Sequence, residues 1–295
     1  MTNGLLAIDK PAGWTSHDVV ARLRRLTGQR RVGHSGTLDP SATGVLVVCF
    51  GTATRLLEYL VGADKVYQSE FVLGVTTDTD DAEGAVLSRA DPSGLTAEQV
   101  TGALDAFIGE IDQTPPAVSA VKVGGVRAYA LARAGKALAL APRRVTIQRI
   151  ELISLSLPRL VVRISCGSGV YIRSIARDLG ERLGVGGHVR SLRRLAVGEF
   201  TIDDAVSLET VEAAALAGTL DELIAPPLRA LVGWPVVPLD GASVAAICQG
   251  RAILREGEPG LLAAATDAEG RLIAILEAAD GQWQPVKVLK QEEGT

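Results

Sequence analysis

The loop formed by residues 33–44, GHSGTLDPSATG, constrains the structure of this chain most strongly. It precedes the continuous apolar run at 45–50, which is typical of a buried strand. Its glycines allow backbone conformations that other residues avoid, and Pro40 fixes the chain immediately after the only carboxylate, Asp39. A tightly held loop before a buried strand is a way of presenting a reactive acid from a rigid base. A purely structural Asp-Pro turn has the same pattern, so the loop alone leaves both interpretations open.

The composition is that of a globular protein, with 295 residues, 47% hydrophobic and 22% charged. This length suits two domains rather than one. The N-terminal residues lack the pattern of a signal peptide, and no apolar run is long enough to span a membrane. We therefore expect a cytoplasmic protein. Three widely separated cysteines lie in or beside apolar runs, which indicates reduced thiols without disulfides or metal spacing: Cys49, Cys166 and Cys248.

The charges of the chain are strongly segregated. Residues 115–200 carry fifteen Lys and Arg against four Asp and Glu, a net charge of +11, whereas the whole chain has a net charge of −4. The segments 63–114 and 201–295 each have a net charge of −9. A strongly basic block inside an acidic chain indicates a polyanionic partner such as a nucleic acid. A basic face that is merely solvated is the alternative.

Hydrophobic periodicity predicts a mixture of strands and helices. Strands are expected at residues 4–9, 45–50, 65–73, 145–155, 160–166 and 188–200. Helices are expected at 16–27, at 52–60, after a Thr96–Gln99 capping box, and at 171–183, 207–231 and 242–249. Ser16 or Asp18 is predicted to cap the first helix, and Gly28 to end it. Residues 78–84, DTDDAEG, depart from the calcium-loop pattern and are predicted to form an acidic turn.

The loop does not fit the common catalytic motifs. A phosphate-binding P-loop ends in Gly-Lys-Ser/Thr, and no lysine follows Gly44. A nucleophile elbow has glycine two residues after its serine, whereas Thr37 stands at that distance from Ser35. His34, Ser35 and Asp39 also lie too close together to be trusted as a triad. The remaining candidate is Asp39 itself as a nucleophile, a known role of carboxylates at sugar-like centres.

Several motifs, in order along the chain, resemble those of the bacterial TruB family of tRNA pseudouridine synthases. They are LAIDKPAG at 6–13, GHSGTLDPSATG at 33–44, DKVY at 64–67 and YIR at 171–173. GHV at 187–189 and SLRRL at 191–195 extend the likeness, which covers about residues 4–200. The tail, including residues 247–253, resembles a PUA-type RNA-binding module, with a less specific motif.

The resemblance implies roles for matching residues. Asp39 is the catalytic nucleophile, and the family leaves open whether it attacks the ribose C1′ or the uracil ring. Arg173 pairs with Asp39, and an arginine partner keeps a buried carboxylate ionised. Tyr67 stacks on the target base and assists proton removal at C5. With these partners, Asp39, Tyr67 and Arg173 form the predicted catalytic set.

The resemblance also implies substrate-binding residues. His34 is expected to pack among the splayed nucleotides of the T-loop, and Tyr171 and Leu192 to line the base pocket. Lys10 and Asp81 also match motif positions, and both are given supporting roles only. Lys10 is counted among the substrate-binding residues, whereas Asp81 is not. The basic block adds a pair of expected RNA contacts: Arg143 and Arg144.

The fold class is predicted as α+β. A pseudouridine-synthase-like catalytic domain with a mixed β-sheet is expected at residues 1–235, with an RNA-clamping insertion at about 115–144. A small PUA-like β-barrel is expected at 238–295. This tail has five Lys and Arg against nine Asp and Glu, so it is expected to contribute little RNA affinity or to contact RNA through a small patch.

The predicted function is the isomerisation of uridine-55 in the T-loop of tRNA to pseudouridine. Substrate and product are isomers, so no cofactor and no metal are expected. The expected partner is the T-arm stem-loop of tRNA, bound by a monomer. One alternative is an RNA-binding or tRNA-folding protein in which catalysis is secondary. Another is a carboxylate-dependent nucleoside hydrolase, which would not need the basic block at 115–200.

Overall fold

A computed structural model describes residues 2–118, 122–123, 126–127, 140–254 and 257–289. The strands in these ranges are β1 Gly4–Lys10, β2 Val32–His34, β3 Thr43–Phe50, β4 Lys65–Leu73, β5 Val75–Thr77, β6 Val86–Arg89, β7 Gly109–Gln113, β8 Lys122–Val123, β9 Val126–Arg127, β10 Arg143–Ser156, β11 Arg159–Cys166, β12 Gly187–Val197, β13 Phe200–Thr201, β14 Val236–Pro238, β15 Ile253–Leu254, β16 Leu262–Thr266, β17 Leu272–Ala279 and β18 Gln282–Val288. The α-helices are α1 Ser16–Thr27, α2 Leu57–Gly62, α3 Ala97–Asp105, α4 Ile172–Arg182, α5 Leu208–Ala217 and α6 Gly241–Cys248. Most of the predicted insertion at about 115–144 lies outside the described residues.

A nine-stranded sheet forms the centre of the larger part of the molecule. Its strands run in the order β1-β3-β12-β4-β11-β10-β7, with β2 on β3 and β13 on β12. β3 and β12 are parallel, whereas β12 and β4 are antiparallel, as are β4 and β11. The sheet is therefore mixed, which confirms the predicted α+β class.

The strands β1 and β3 are apolar on both faces because each face is covered. One face packs against α1 and α5 in a core that includes Leu6, Leu46 and Leu23. The other face, with Leu5 and Val45, belongs to a core that also contains Leu56, Phe200 and Leu231 and reaches into the C-terminal part of the chain. Successive side chains of a strand point to opposite faces, so an uninterrupted apolar run is expected when both are buried. A third core lies between α3, α4 and the strands β4, β10, β11 and β12.

A smaller five-stranded sheet, in the order β14-β16-β17-β18-β15, occupies the C-terminal part. Its own core includes Ile273, Leu276 and Trp283, with Ile247 from α6. Other members, including Ile275 and Leu272, instead join the core beneath β1 and β3. We call residues 236–289 the C-terminal module. Within the described part of the chain, no helix combines the length and apolarity needed to cross a membrane.

Three local predictions are wrong. Thr15, not Ser16 or Asp18, caps α1: its hydroxyl accepts from the Asp18 amide, and Asp18 accepts from the Thr15 amide, so Asp18 is the second half of a capping box. Residues 52–60 are not one α-helix, since residues 51–56 form a 3₁₀ helix before α2. The helical pattern at 207–231 breaks at Gly218, which is left-handed, and continues as short 3₁₀ turns.

Candidate active site

The loop that carries Asp39 is fixed from below by the end of β1. The Lys10 ammonium is fully buried and donates to the carbonyls of Pro11 at 2.9 Å, Trp14 at 2.6 Å and Pro40 at 3.2 Å. The Gly13 amide donates to the same Pro40 carbonyl at 2.8 Å. These contacts hold the residue that directly follows Asp39.

Two further contacts fix the loop at its sides. The Leu38 amide donates to the buried Ser16 hydroxyl, at 2.9 Å, so the start of α1 holds the residue before Asp39. At the other end, Gly44 has a φ of +101° and lies against β12. A Cβ atom at Gly44 would lie 2.1 Å from the Arg194 carbonyl oxygen, so the close approach of β3 and β12 requires glycine.

Asp39 and Arg173 form a forked ion pair. Arg173 Nε lies 3.0 Å from Asp39 Oδ2, and Arg173 Nη2 donates to Asp39 Oδ1 at 3.1 Å. The Arg173 side chain is 7% exposed, whereas that of Asp39 is 37% exposed. Arg173 stands in the first turn of α4, where the helix dipole disfavours a cation, so its anionic partners must compensate. The carboxylate is thus held by a buried guanidinium and remains accessible.

The other donors of Arg173 also have acceptors. Nη1 donates to the Thr79 carbonyl at 3.0 Å and lies 3.5 Å from Asp81 Oδ2. Nη2 also donates to the Val118 carbonyl at 3.0 Å. The orientation of Arg173 therefore depends on two backbone carbonyls and two carboxylates from three separate segments.

A cavity of about 260 Å³ opens beside the Asp39–Arg173 pair. Three predicted residues line it with them: Tyr67 from β4, Tyr171 before α4, and Leu192 from β12. Tyr67 is central in the sheet, paired with Ile164 of β11 on one side and Arg194 of β12 on the other. Five of the predicted site residues therefore meet at one cavity, although their roles there stay predictions. Across the described ranges, no cluster of His, Cys, Asp and Glu is arranged to hold a metal ion.

Burial and nearby charges shift the protonation equilibria of this cavity. Burial raises the pKa of the Asp39 carboxyl above its usual value, and the Asp81 charge adds to this effect. Arg173 and Lys10 oppose it, because their positive charges favour the carboxylate. Burial also raises the pKa of the Tyr67 hydroxyl, which keeps the phenol neutral. The site therefore contains an acid and an aromatic hydroxyl that are both sensitive to solvent exclusion.

Four predicted site residues do not line this cavity. Lys10 lies beneath the loop with its ammonium on three carbonyls, a position from which it supports the loop, and its part in substrate binding stays a prediction. His34 lies in β2, edge-on to His17 at 5.6 Å between ring centroids, and its Nδ1 accepts from the Gly36 amide. Arg143 and Arg144 are exposed at the start of β10, opposite the end of β7.

Among the charged residues that line the cavity, sequence reasoning missed Lys65 and Arg194. Lys65 is buried, which lowers its pKa to about 8, and its ammonium donates to the carbonyls of Val61 and Ala63. Arg194 is 1% exposed and donates to the carbonyls of Val45 and Gly36. Lys65 stands in the DKVY motif and Arg194 in the SLRRL motif. Their place in these motifs is the sequence signal that could have identified them as site residues. Charged side chains are usually exposed, whereas backbone carbonyls satisfy these two inside the protein.

Family models match nearly the whole chain. Residues 24–172 match the TruB family pseudouridylate synthase N-terminal domain, and residues 173–232 match the tRNA pseudouridylate synthase B C-terminal domain. Residues 234–290 match the C-terminal domain of tRNA pseudouridine synthase II. The first match contains Asp39 and Tyr67, and the second begins at Arg173.

Curated relatives and solved structures agree with these matches. The tRNA pseudouridine synthase B of Mycobacterium tuberculosis strain H37Rv is 47% identical over 292 residues, which cover 97% of this chain and 96% of that protein. The protein of that name from Thermobifida fusca is 45% identical over 296 residues, covering 98% and 99%. A chain in the crystal structure of a Cbf5-Nop10-Gar1 complex has a TM-score of 0.77 at 26% identity, covering 98% of this chain and 85% of that one. The chain therefore belongs to the TruB family of pseudouridylate synthases.

Proposed function

We propose that this protein isomerises uridine-55 in the T-loop of tRNA to pseudouridine, with Asp39 as the nucleophile. The observation that carries the proposal is the forked Arg173–Asp39 pair, with the carboxylate exposed toward a cavity between Tyr67 and Leu192. Its relatives at 45–47% identity are named tRNA pseudouridine synthase B. The alternative of an RNA-folding protein with secondary catalysis has no comparable support.

The reaction requires no external reactant. The bond between uracil N1 and ribose C1′ breaks, the base turns, and a bond forms between C5 and C1′. The proton lost from C5 is balanced by one gained at N1, so the product is an isomer of the substrate. Asp39 is the proposed group that attacks the nucleoside, at C1′ or at the uracil ring. Arg173 keeps its carboxylate ionised despite the burial that raises its pKa.

The cavity walls suit a flipped base. Extrusion of a base from folded RNA costs a few kcal/mol, and stacking on one aromatic ring returns about 1–3 kcal/mol. Tyr67 is the proposed stacking surface, and Tyr171 and Leu192 are the proposed walls. Because burial keeps the Tyr67 phenol neutral, we propose that its hydroxyl assists the removal of the C5 proton by hydrogen bonding rather than as a permanent phenolate, with this proton passing to solvent and N1 taking one up.

The wider interaction surface follows from the charge distribution. We propose that a monomer binds the T-arm stem-loop in the cytoplasm, with His34, Arg143 and Arg144 outside the cavity as RNA contacts. RNA loops with splayed bases are recognised by such combinations of stacking and charge. We further propose a division into a catalytic domain at 1–235 and a second domain at 238–295, which is supported by the separate five-stranded sheet that begins with β14.

Replacement of Asp39 by asparagine tests the function. Asn retains the size of the side chain but removes the nucleophile, so we expect tRNA binding to persist and pseudouridine formation to disappear. Release of tritium from uracil C5 of labelled tRNA measures turnover, and filter binding measures affinity. The control is Asp105→Asn, at the exposed end of α3, which should match the wild type. Turnover retained by the Asp39→Asn variant would refute the nucleophile assignment.

A further inference from the structure

A second arginine of α4, Arg177, lies one turn after Arg173 and is not among the residues that line the cavity. Its Nη1 is 3.0 Å from Asp80 Oδ2, and the two side chains are only 20% and 14% exposed. Its Nη2 donates to the Thr114 carbonyl at 2.9 Å, and its Nε donates to Asp178 Oδ1 at 2.8 Å. Arg177 therefore connects α4 to two other segments.

The first of these segments is the acidic turn at 78–84. Asp80 has a left-handed φ of 61°, and its carbonyl accepts from the Val189 amide of β12 at 3.0 Å. The residues on either side of it supply acceptors to Arg173: the Thr79 carbonyl and the Asp81 carboxylate. Fixing Asp80 consequently fixes both acceptors, since they are its immediate neighbours in the chain.

The second segment starts at the end of β7. The Thr114 carbonyl accepts from Arg177 and also from the Ser174 hydroxyl, at 2.8 Å. Four residues later, the Val118 carbonyl accepts from Arg173 Nη2. Thr114 thus anchors the start of a short segment whose end contacts the same guanidinium nitrogen as Asp39.

We infer that Arg177 is a positioning residue, which fixes Asp80 and Thr114 and through them the acceptors that orient Arg173 against Asp39. The inference rests on the proposed role of Asp39 as nucleophile. Only a guanidinium presents separate nitrogens to Asp80 and to the Thr114 carbonyl in a fixed fork, so a lysine replaces one contact but not both.

This arrangement has a consequence for the ionisation of Asp39. The charged groups that act on its carboxyl are Arg173 from α4, Asp81 from the acidic turn and Lys10 from β1. Arg173 is the strongest influence that opposes burial. If the guanidinium of Arg173 is displaced, the pKa of Asp39 rises further, and the carboxylate is lost at a higher pH. Arg177 itself faces Asp80, Asp178 and Glu181.

The test compares single-turnover pseudouridine formation across pH in Arg177→Gln, Asp80→Asn and the double variant. Asn tolerates the left-handed backbone of position 80, so the turn keeps its conformation. We expect each single variant to slow the reaction about tenfold to a hundredfold, as small misplacements of catalytic groups do. The acid limb of the profile should move to higher pH, and tRNA affinity should stay within about threefold, because Arg177 is not at the cavity.

The double variant separates positioning from unrelated damage. We expect it to be no slower than the slower single variant, because both changes remove the same ion pair. Arg177→Lys should recover part of the rate, and Arg182→Gln, an exposed residue of the last turn of α4, should behave as the wild type. A wild-type rate and acid limb in folded Arg177→Gln would overturn the inference. If that variant does not fold, the same outcome in Asp80→Asn overturns it.

A measurement without RNA separates this inference from the proposed function. Carbon-detected NMR of protein labelled at Asp follows the Asp39 carboxyl, with Asp39→Asn to assign its resonance. We expect its pKa to be higher in Arg177→Gln than in the wild type, and an unchanged pKa would contradict the positioning role. If the wild type forms no pseudouridine, the proposed function fails, yet this titration still decides whether Arg177 positions the pair.

Discussion

Asp39 and Arg173 are 134 positions apart in the chain, yet they form a two-point contact. Each is held by other groups: the neighbour of Asp39 by Lys10, and Arg173 by carbonyls and Asp81. At the scale of single residues, the site is therefore a set of charged side chains inside the protein whose remaining hydrogen-bonding atoms meet backbone acceptors. Removal of one partner from such a pair lowers the free energy of unfolding by more than the contact itself contributes, because the other partner stays buried without a hydrogen bond.

Lys10→Met tests the support of the loop. Burial lowers the pKa of Lys10 to about 8, so its charge is itself costly, and its removal relieves part of that cost. The carbonyls of Pro11 and Trp14 then lose this donor, at about 1–3 kcal/mol for each buried group, whereas the Pro40 carbonyl keeps the Gly13 amide. We expect a net loss of about 2 kcal/mol in the free energy of unfolding, measured by urea denaturation, and slower turnover because Pro40 is held by one donor instead of two.

Arg25→Met on the exposed side of α1 is the control for this change. It removes a charge of the same sign without uncovering buried carbonyls, so its stability should stay within about 0.5 kcal/mol of the wild type. A Lys10→Met protein as stable and as active as the wild type would show that the loop keeps its shape without this ammonium.

At the scale of elements, the contact between β3 and β12 sets the distance between the loop and the cavity. Arg194 of β12 lies opposite both Gly44 of β3 and Tyr67 of β4. The strand β12 therefore connects the loop that carries Asp39 to the strand that carries the proposed stacking residue. A change in the spacing of these strands would alter the cavity itself.

Gly44→Ala is expected to break this spacing. The left-handed backbone costs about 1–2 kcal/mol for alanine, and overpacking against the Arg194 carbonyl adds about 1–3 kcal/mol. We expect a loss of about 2–5 kcal/mol in the free energy of unfolding, by chemical denaturation. Gly13→Ala is the matched control, since Gly13 has a φ of +82° but open space around it. This variant should lose only the stability that the left-handed backbone of alanine costs, without the overpacking.

Equal losses in the free energy of unfolding for Gly44→Ala and Gly13→Ala would show that the spacing of β3 and β12 does not depend on residue 44. A larger loss in Gly44→Ala should be accompanied by a lower rate of pseudouridine formation, because β12 also carries Leu192 at the cavity.

The elements were predicted most accurately where one periodicity dominates. The strand at 65–73 matches β4 in full, and Gly28 ends α1 in a left-handed conformation as expected. The cap of α1 is Thr15 rather than the predicted Ser16 or Asp18, because all three residue types are good caps and only the hydrogen bonds decide between them. The pairing of Arg194 on β12 with Tyr67 on β4 depends on the register of the sheet, which local sequence patterns do not specify.

At the scale of the whole molecule, the two large sheets are separate, whereas one hydrophobic core contains residues of both. The apolar run at 45–50 indicated a strand covered on both faces, without showing what covers it. The core on one of these faces contains Leu56 and Leu231 and extends to Leu272 and Ile275 of the C-terminal module. Lys287 of β18 forms an ion pair with Glu58 and lies over the Tyr59 ring, which adds polar contacts to the same interface.

Ile275→Ala tests this shared core. Removal of a fully buried isoleucine costs about 2–5 kcal/mol. We expect one cooperative unfolding transition at a lower temperature by calorimetry, and faster hydrogen exchange at the amides of β1 and β3. Leu254→Ala is the control, because Leu254 is 86% exposed. Unchanged exchange in β1 and β3 would mean that the module is energetically independent.

The segregated charge of the molecule gives a separate prediction for Arg143 and Arg144. Each lost phosphate contact lowers the slope of log affinity against log salt by about 0.7–0.9. We expect the Arg143→Gln, Arg144→Gln double variant to bind tRNA more weakly, with a slope reduced by about 1.4–1.8. Arg271→Gln in the C-terminal module, where Arg271 is paired with Asp267, is the control. A wild-type slope in the double variant would exclude the pair from the interface.

The shared core of the C-terminal module has a consequence for protein engineering. A truncation that stops at residue 235 would remove Leu272 and Ile275 from the core that also contains Leu5 and Val45, and the apolar surface uncovered there would favour aggregation. Its loss of activity would therefore say little about RNA recognition. A chimera with a foreign module would need to reproduce the shape presented by Leu272 and Ile275. The module is thus exchangeable only together with the residues of the larger part that share its core.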